Sequence, residues 1–452
     1  MGNLLSSLVT VADSMRTVQK AIDVSSNNVT NANTPGFVRQ DLSLVAKRFE
    51  LDHALPGGVG DQGLISSRRA FLELGVYEQA GREGRYAQLT SNLERLEPLL
   101  DVTAQGGVSG ALDNLFAAFS QWSVNPNDQP SRQRVIDRAA DLGNAFRFLS
   151  GSITASVSDA AAETGALVGQ VNRLGQRILE YNVEVRQDRR KLEDPGLDAQ
   201  VHAALEELSG LVDFDLIRSE DGSFTVQLGG QTPLVIGDHT FPVSVEAGNG
   251  PIVLRDSLGR DITGQIGAGK VKGILEFADS SAGVLLDDVN TLAAAVADQV
   301  NGTLANGVDR NGVPGAELFS YDNVTGAAAS LTVTSITADE LAAAAIDAPG
   351  GNANALDLAA LSTSRVVNGY SFSQFLGQTA GQLGQTLGNA RESARTHELL
   401  LGQARQLRAA SSEVDLNAEA VKLVAFQRQY EANAELVRVL NSLTETMLGI
   451  LR

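Results

Sequence analysis

Near the N-terminus, apolar side chains alternate at spacings of four and three residues, with Ser25 as the one polar interruption. This heptad pattern predicts one helix of about 26 residues, about 39 Å long. Its apolar positions are Leu4, Leu8, Val11, Met15, Val18, Ile22 and Val29. We expect the helix to end in the sequence that contains Asn33-Thr34-Pro35-Gly36, because the residue before a proline avoids the helical conformation.

The C-terminal segment repeats this design between Asp415 and Arg452, where proline is absent and glycine occurs only at Gly449. The apolar positions of its predicted helix are Leu416, Leu423, Phe426, Tyr430, Val437, Leu440 and Met447. Each terminal helix would expose a long apolar stripe on its own, so we expect the two to pack on each other or on neighbouring molecules. We therefore predict a coiled-coil inner domain from residues 1–40 and 411–452, with the stripe positions as its assembly interface.

Helical periodicity also covers most of residues 71–205. Successive apolar stripes cover residues 86–100, 112–122, 135–149 and 168–185, and a loop at 125–130 separates the second from the third. The pattern returns near Phe372. These segments predict a helical middle domain that is built from both chain halves, residues 41–208 and 366–410.

Between residues 209 and 365 the pattern changes to short alternating or β-branched runs, which begin at Phe214, Phe224, Leu234 and Phe241. Glycine-containing turns at 221–222, 229–230 and 237–238 separate them, as in an antiparallel sheet. One helix, residues 284–300, and a strand-like run at 331–336 follow. The predicted fold class is therefore mainly α, with paired terminal helices, a helical layer and an inserted β-rich outer domain.

The composition argues against several classes of protein. The net charge of −19 argues against nucleic acid, because neutralising phosphates requires an excess of lysine and arginine. The absence of cysteine excludes disulfides and thiolate chemistry. No apolar run is long enough for a transmembrane helix, and the start of the chain lacks the basic region of a cleaved signal peptide.

The motifs that could carry chemistry have simpler explanations. The sequence from Gly264 to Lys270 nearly matches a phosphate-binding loop, but Val271 replaces the hydroxyl residue that reaches magnesium, so we interpret the segment as a glycine-rich hairpin. The sequence from Asp309 to Gly312 lacks the glutamate of a calcium loop and predicts a turn. The four histidines are isolated from one another in the sequence. We predict no catalytic, cofactor-binding or metal-binding residue.

Residues 21–40, with the core NN-x-x-NAN-T-x-G-F, resemble the sequence after the first helix of flagellar rod, hook and hook-associated proteins. The motif positions are Asn27, Asn28, Asn31, Asn33, Thr34, Pro35, Gly36 and Phe37. Residues 414–451 are similar to the closing helix of the same axial family. Interior segments at 112–136, 220–237 and 285–319 resemble its hook-associated branch.

The resemblance implies a structural subunit, not an enzyme, that forms the junction ring between hook and filament. It implies a homo-oligomer that contacts the hook subunit on one side and hook-associated protein 3 on the other, with the filament cap protein present during assembly. It further implies export from the cytoplasm to the outside of the cell and a cytoplasmic export chaperone at the C-terminal helix. The expected chaperone-binding positions are Leu423, Phe426, Tyr430, Val437 and Leu440.

Other readings of the sequence remain open at this point. Within the axial family, the chain could be a hook subunit or hook-associated protein 3, whereas flagellin lacks the turn motif. Outside the family, a coiled-coil adhesin or an enzyme within the β-rich module would also fit the composition. Clustered polar residues in a pocket of that module would favour the enzyme.

Overall fold

A computed structural model describes residues 2–48, 57–100, 106–246 and 251–450. The helices are α1 (Gly2–Asn31), α2 (Ala70–Leu96), α3 (Gly107–Val124), α4 (Gln129–Gln187), α5 (Pro195–Leu211), α6 (Gly269–Glu276), α7 (Gly283–Ala305), α8 (Ala327–Ser330), α9 (Ala353–Ala360), α10 (Phe372–Ser412) and α11 (Leu416–Ile450). The predicted fold class, mainly α with a β-rich insertion and long terminal helices, is confirmed.

The strands are short and antiparallel. They are β1 (Gln40–Ala46), β2 (Val59–Ser66), β3 (Phe214–Arg218), β4 (Phe224–Leu228), β5 (Thr232–Ile236), β6 (His239–Thr240), β7 (Ser244–Glu246), β8 (Val253–Arg255), β9 (Gly307–Val308), β10 (Phe319–Ser320), β11 (Thr332–Val333) and β12 (Ala344–Ala345). Strands β3 to β6 form one sheet in sequence order, and the others pair in twos as β1–β2, β7–β8, β9–β12 and β10–β11. Each predicted glycine turn of the four-stranded sheet contains a glycine with positive φ, which glycine adopts without steric cost.

The chain folds into two compact units, and α2, α4 and α10 each contribute residues to both. The first unit contains Met1–Arg82, Gln170–Val243 and His397–Arg452. Its core joins the end of α4 to the four-stranded sheet: the rings of Tyr181 and Phe224 stack with centroids 5.3 Å apart. A Cβ atom on Gly175 would lie 3.2 Å from Leu234, so α4 and β5 pack very closely.

The second unit contains Glu83–Gly169 and Ser244–Thr396. Its core includes Trp122 and Phe119 of α3, which are fully buried. The buried guanidinium of Arg132 lies 5.4 Å from the Trp122 ring centroid and donates to the carbonyls of Ala338 and Leu341 at 3.0 and 2.8 Å. These bonds satisfy a cation that would otherwise be costly to bury.

Asparagines on helices hold the backbone of neighbouring segments in both units. The amide of Asn182 donates to the carbonyl of Phe224 and accepts from its N–H, both at 2.7 Å. The Asn172 side chain forms the same two hydrogen bonds with the carbonyl and the N–H of Val243, at 2.8 and 2.9 Å. The Asn301 side chain forms them with the carbonyl and the N–H of Phe319, at 2.8 and 3.0 Å. Asn28 on α1 holds Gln40 in this way as well, at 2.8 and 3.0 Å.

Two predictions need correction. The segment from Gly264 to Lys270 is not a hairpin, because the hairpin turn lies upstream at residues 256–260, where the Asp256 N–H donates to the Arg260 carbonyl at 3.0 Å. Gly269, with φ of 84°, instead redirects the chain into α6. The helix predicted at 284–300 extends from 283 to 305, and a π-helical turn, Phe277–Ala282, joins it to α6.

Candidate assembly surface of the terminal helices

Helices α1 and α11 pair in antiparallel orientation within the chain. The start of α11 lies beside the end of α1, since the Ser25 hydroxyl donates to the Glu419 carboxylate. Just beyond these helix ends, the Arg39 N–H donates to the Ser412 carbonyl at 2.8 Å. The β1–β2 hairpin packs along α1, where the Lys20 ammonium pairs with Asp61 at 3.0 Å.

Most of the predicted interface positions lie in or beside this pairing. Those that are buried or half-buried are Leu4, Leu8, Val11, Met15, Val18, Ile22, Leu423, Phe426, Tyr430, Val437 and Leu440. Three of the predicted positions are exposed: Val29, Leu416 and Met447, at 37%, 50% and 41%. Val29 and Leu416 lie near the base of the pair, where the chain leaves α1 and enters α11.

A second apolar stripe remains exposed on α11, at positions outside the predicted interface. Its members are Val421, Val424, Leu436, Val439 and Leu443, which expose 48–71% of their surface. On α1, Leu5 and Val9 are similarly exposed, at 57% and 60%. Apolar side chains at this density mark a surface that can bury more area against another helix. The sequence pattern could have predicted this second stripe, since its positions on α11 also recur with helical spacing.

A buried polar cluster lies at the base of the helix pair. The Glu419 side chain is 1% exposed and accepts hydrogen bonds from Ser25 and, at 2.9 Å, from the Lys422 ammonium. The same ammonium contacts the Asp41 carboxylate of β1 at 2.7 Å. Burial alone would lower the pKa of Lys422, but the hydrogen bonds to Asp41 and Glu419 outweigh it and raise that pKa. This cluster of hydrogen bonds and ion pairs therefore joins three segments, α1, β1 and α11.

The asparagine-rich motif builds the turn after α1. The Asn31 amide donates to the Asn27 side-chain oxygen at 2.7 Å and accepts from the Thr34 hydroxyl at 3.2 Å. Gly36 has a φ of 76°, and a Cβ atom there would lie 2.3 Å from the carbonyl oxygen of Ala199 in α5. The motif residues therefore shape the backbone.

The other motif positions differ in exposure. Asn28 is the most buried of them, at 1% exposed, and its side chain forms the two hydrogen bonds with the Gln40 backbone. Asn33 and Pro35 are exposed, and Phe37 is half-buried.

The first unit also holds a buried ionic network beside a cavity of about 260 Å³. Arg68 contacts Glu73 at 2.5 Å and Asp198 at 2.7 Å, and Arg408 contacts Glu73 at 3.0 Å. The Tyr77 hydroxyl lies 2.9 Å from Nδ1 of His202. Every charge named here has an opposite partner, which is typical of structural ion pairs.

The three histidines in the described part of the chain are not gathered into one site. Burial lowers the pKa of His202 well below 6.5. Nδ1 of His397 lies 3.2 Å from the Gln79 amide oxygen, and His239 is exposed beside Asp238. His53 lies outside the described residues. Within the described ranges, no group of three or more histidine and carboxylate side chains could hold a metal ion. No described helix is long and apolar enough to cross a membrane.

Both chain ends match families of flagellar rod proteins. Residues 14–37 match the flagella basal body rod protein family, and residues 406–450 match the C-terminal region of the flagellar basal body rod FlgEFG proteins. Together with the antiparallel terminal helices and the turn between α1 and β1, these matches define a flagellar axial protein.

The helical domain of flagellar hook-associated protein FlgK matches residues 93–319, which is half of the chain. The chain belongs to the FlgK family of flagellar hook-associated proteins and is a structural subunit of the flagellum. The family resemblance drawn from the sequence motifs is therefore confirmed.

Individual relatives agree with this family. Flagellar hook-associated protein 1 of Bacillus subtilis strain 168 is 26% identical over 494 residues, which cover 98% of this chain and 97% of that protein. Flagellar hook-associated protein 1 of Salmonella typhimurium is 22% identical over 368 residues, which cover 76% of this chain and 66% of that protein. The solved structure of the flagellar hook junction protein FlgK from Burkholderia pseudomallei superimposes with a TM-score of 0.66 at 13% identity, over 74% of this chain and 99% of that one. The last similarity shows a shared fold.

Proposed function

We propose that this chain forms the junction ring between hook and filament and assembles through its terminal helices. The observation that carries the proposal is the terminal helix pair, which closes one apolar seam inside the chain and leaves a second stripe on α11 exposed. Burying that stripe against identical neighbours gains about 25 cal/mol per Å² of apolar area. The role is mechanical and requires no catalytic residue.

A gene deletion tests this proposal. Cells that lack the chain should build hooks but release unpolymerised flagellin into the medium, and the wild-type gene should restore filaments. If hooks are also missing, the chain is another axial subunit, such as the hook subunit. Loss of filaments with a junction ring still visible would point to hook-associated protein 3. The proposed location is outside the cell at this junction, after export without a cleaved signal peptide.

The proposed neighbours are the hook subunit on one side and hook-associated protein 3 on the other, with the filament cap protein present during assembly. In this arrangement residues 1–40 and 411–452 form the inner tube. Residues 41–208 and 366–410 form the middle layer, and residues 209–365 face outward. Cross-linking of purified filaments, followed by mass spectrometry, would test each neighbour separately.

Before export, a cytoplasmic chaperone is proposed to cover the C-terminal helix. Its expected contacts, Leu423, Phe426, Tyr430, Val437 and Leu440, are the positions that α11 turns towards α1 in the folded chain. A chaperone must therefore bind before the two helices pair, in the manner of a helix held in a groove. Removal of residues 412–452 should abolish binding in a pull-down, whereas removal of residues 1–40 should preserve it. The opposite result would reject this binding site.

A further inference from the structure

The apolar seam between α1 and α11 does not by itself define one alignment of the two helices. Both stripes repeat every seven residues, so a slip of one heptad, about 10.5 Å, again places apolar positions against apolar positions. The seam stabilises pairing but discriminates weakly between these alignments. A feature that occurs once along the helices is needed to select one of them.

The buried carboxylate of Glu419 is such a feature. In the observed alignment Glu419 and Ser25 are 1% and 2% exposed and share a hydrogen bond. After a slip of one heptad in one direction, Glu419 would lie level with Val18, which offers no donor. After a slip in the other direction it would lie beyond the end of α1, and Ser25 would face an apolar position. In either case Glu419 loses its donor on the partner helix and keeps only Lys422 of its own helix, and a buried carboxylate that loses a donor is disfavoured.

We propose that Glu419, held by Ser25 and Lys422, sets the register in which the terminal helices pair. Lys422 extends this control to β1 through Asp41, at 2.7 Å. Buried polar residues select one register of a coiled coil in the same way. The competing explanation is that the chain connections alone fix the register, since the Arg39 N–H is already bonded to the Ser412 carbonyl. The proposal concerns pairing within one chain and does not depend on the flagellar role.

A distance measurement between spin labels separates the two explanations. The chain has no cysteine, so labels can be placed uniquely at exposed Ser26→Cys on α1 and Glu445→Cys on α11. In the observed register these labels lie about 40 Å apart along the helix axis, and a slip of one heptad changes that distance by about 10 Å. Pulsed electron paramagnetic resonance on the full-length monomer resolves such a difference.

With Glu419 in place, we expect a single distance near 40 Å, from 26 residues at about 1.5 Å each. Glu419→Leu should add a second population about 10 Å away, because leucine suits either alignment. Glu419→Gln can still accept from Ser25 and should keep the single distance. The matched control is Glu431→Leu, which changes an exposed glutamate of the same helix and should also keep it.

Three results would overturn the proposal. A single native distance in Glu419→Leu would mean that the chain connections set the register. A second population in the Glu431→Leu control as well would mean that added apolar surface, and not loss of the hydrogen bond between Ser25 and Glu419, causes slippage. Loss of helical ellipticity in Glu419→Leu would equally overturn it, because the glutamate would then be required for pairing in any register.

Discussion

Val437→Asp tests whether the seam between the terminal helices stabilises their pairing. Val437 is half-buried on the side of α11 that faces α1. An aspartate there can escape the apolar contact by taking up a proton. Raising its pKa from about 3.9 to 7 would cost about 4 kcal/mol, at about 1.36 kcal/mol per unit, and this sets an upper limit at pH 7. Because the site is only half-buried, we expect about 2–3 kcal/mol from the charge and about 1 kcal/mol from lost packing.

Hydrogen exchange of the purified monomer measures this cost directly. A total cost of about 3–4 kcal/mol corresponds to amides of α1 and α11 that exchange about 100- to 1,000-fold faster in Val437→Asp, whereas amides in the core of the second unit should be unchanged. The introduced carboxyl has a raised pKa in the paired state, so its penalty is largest at neutral pH and declines as pH falls towards 4. Lowering the pH from 7 to 5 should therefore recover about 1 kcal/mol relative to wild type at each pH.

Arg438→Asp is the control, one residue further along α11. Arg438 is exposed and pairs with Glu435, at 2.9 Å on the same helix surface. Breaking such a surface ion pair costs at most about 1 kcal/mol. If both variants protect their terminal amides equally, the face of α11 that carries Val437 does not hold the pair together. Motile cells with intact junctions that carry Val437→Asp would extend this refutation to assembly.

Three further predictions concern the monomer. Limited proteolysis should remove both termini together and leave a core of about residues 40–410, because the pair exposes an apolar stripe and lies at the chain ends; uncleaved termini would contradict this. Asn28→Ala should lower the free energy of unfolding by about 1–3 kcal/mol in urea titrations, because it removes the two hydrogen bonds to the buried backbone of Gln40. The control, Asn33→Ala at an exposed position, should have little effect. Burial depresses the pKa of His202, so stability should fall as pH drops below about 6.5, by up to about 1.4 kcal/mol per unit. His202→Gln should remove this slope, and an unchanged pH dependence would reject the assignment.

Periodicity in the sequence predicted the helices well where buried positions carry large apolar residues. The stripes at 135–149 and 168–185 looked separate, yet both belong to α4, because small Ala160 and Thr164 fill the fully buried positions between them. A pattern based on large side chains cannot detect such positions. The glycine turns of the four-stranded sheet were predictable because positive φ strongly favours one residue type.

The candidate site was predicted less completely. The stripes on the terminal helices were evident, but the pattern alone does not tell whether α1 faces α11 or another molecule. Glu419 lies at a seam position, although a glutamate is usually solvated. Its burial depends on Ser25 of α1 and on Lys422 of its own helix, which Asp41 of β1 also contacts. Such a contact across 394 residues leaves no local signal.

The paired hydrogen bonds from asparagine side chains described above act on main-chain N–H and carbonyl groups, which every residue except proline offers whatever its side chain. Val243 or Phe319 could therefore change during evolution without loss of the two hydrogen bonds, whereas Asn172 and Asn301 could not. Mutational tolerance should thus be unequal across each contact. Variation at the held residues is limited by packing, since Phe319 and Val243 are 1% and 6% exposed, whereas variation at the asparagines is limited by the hydrogen bonds themselves.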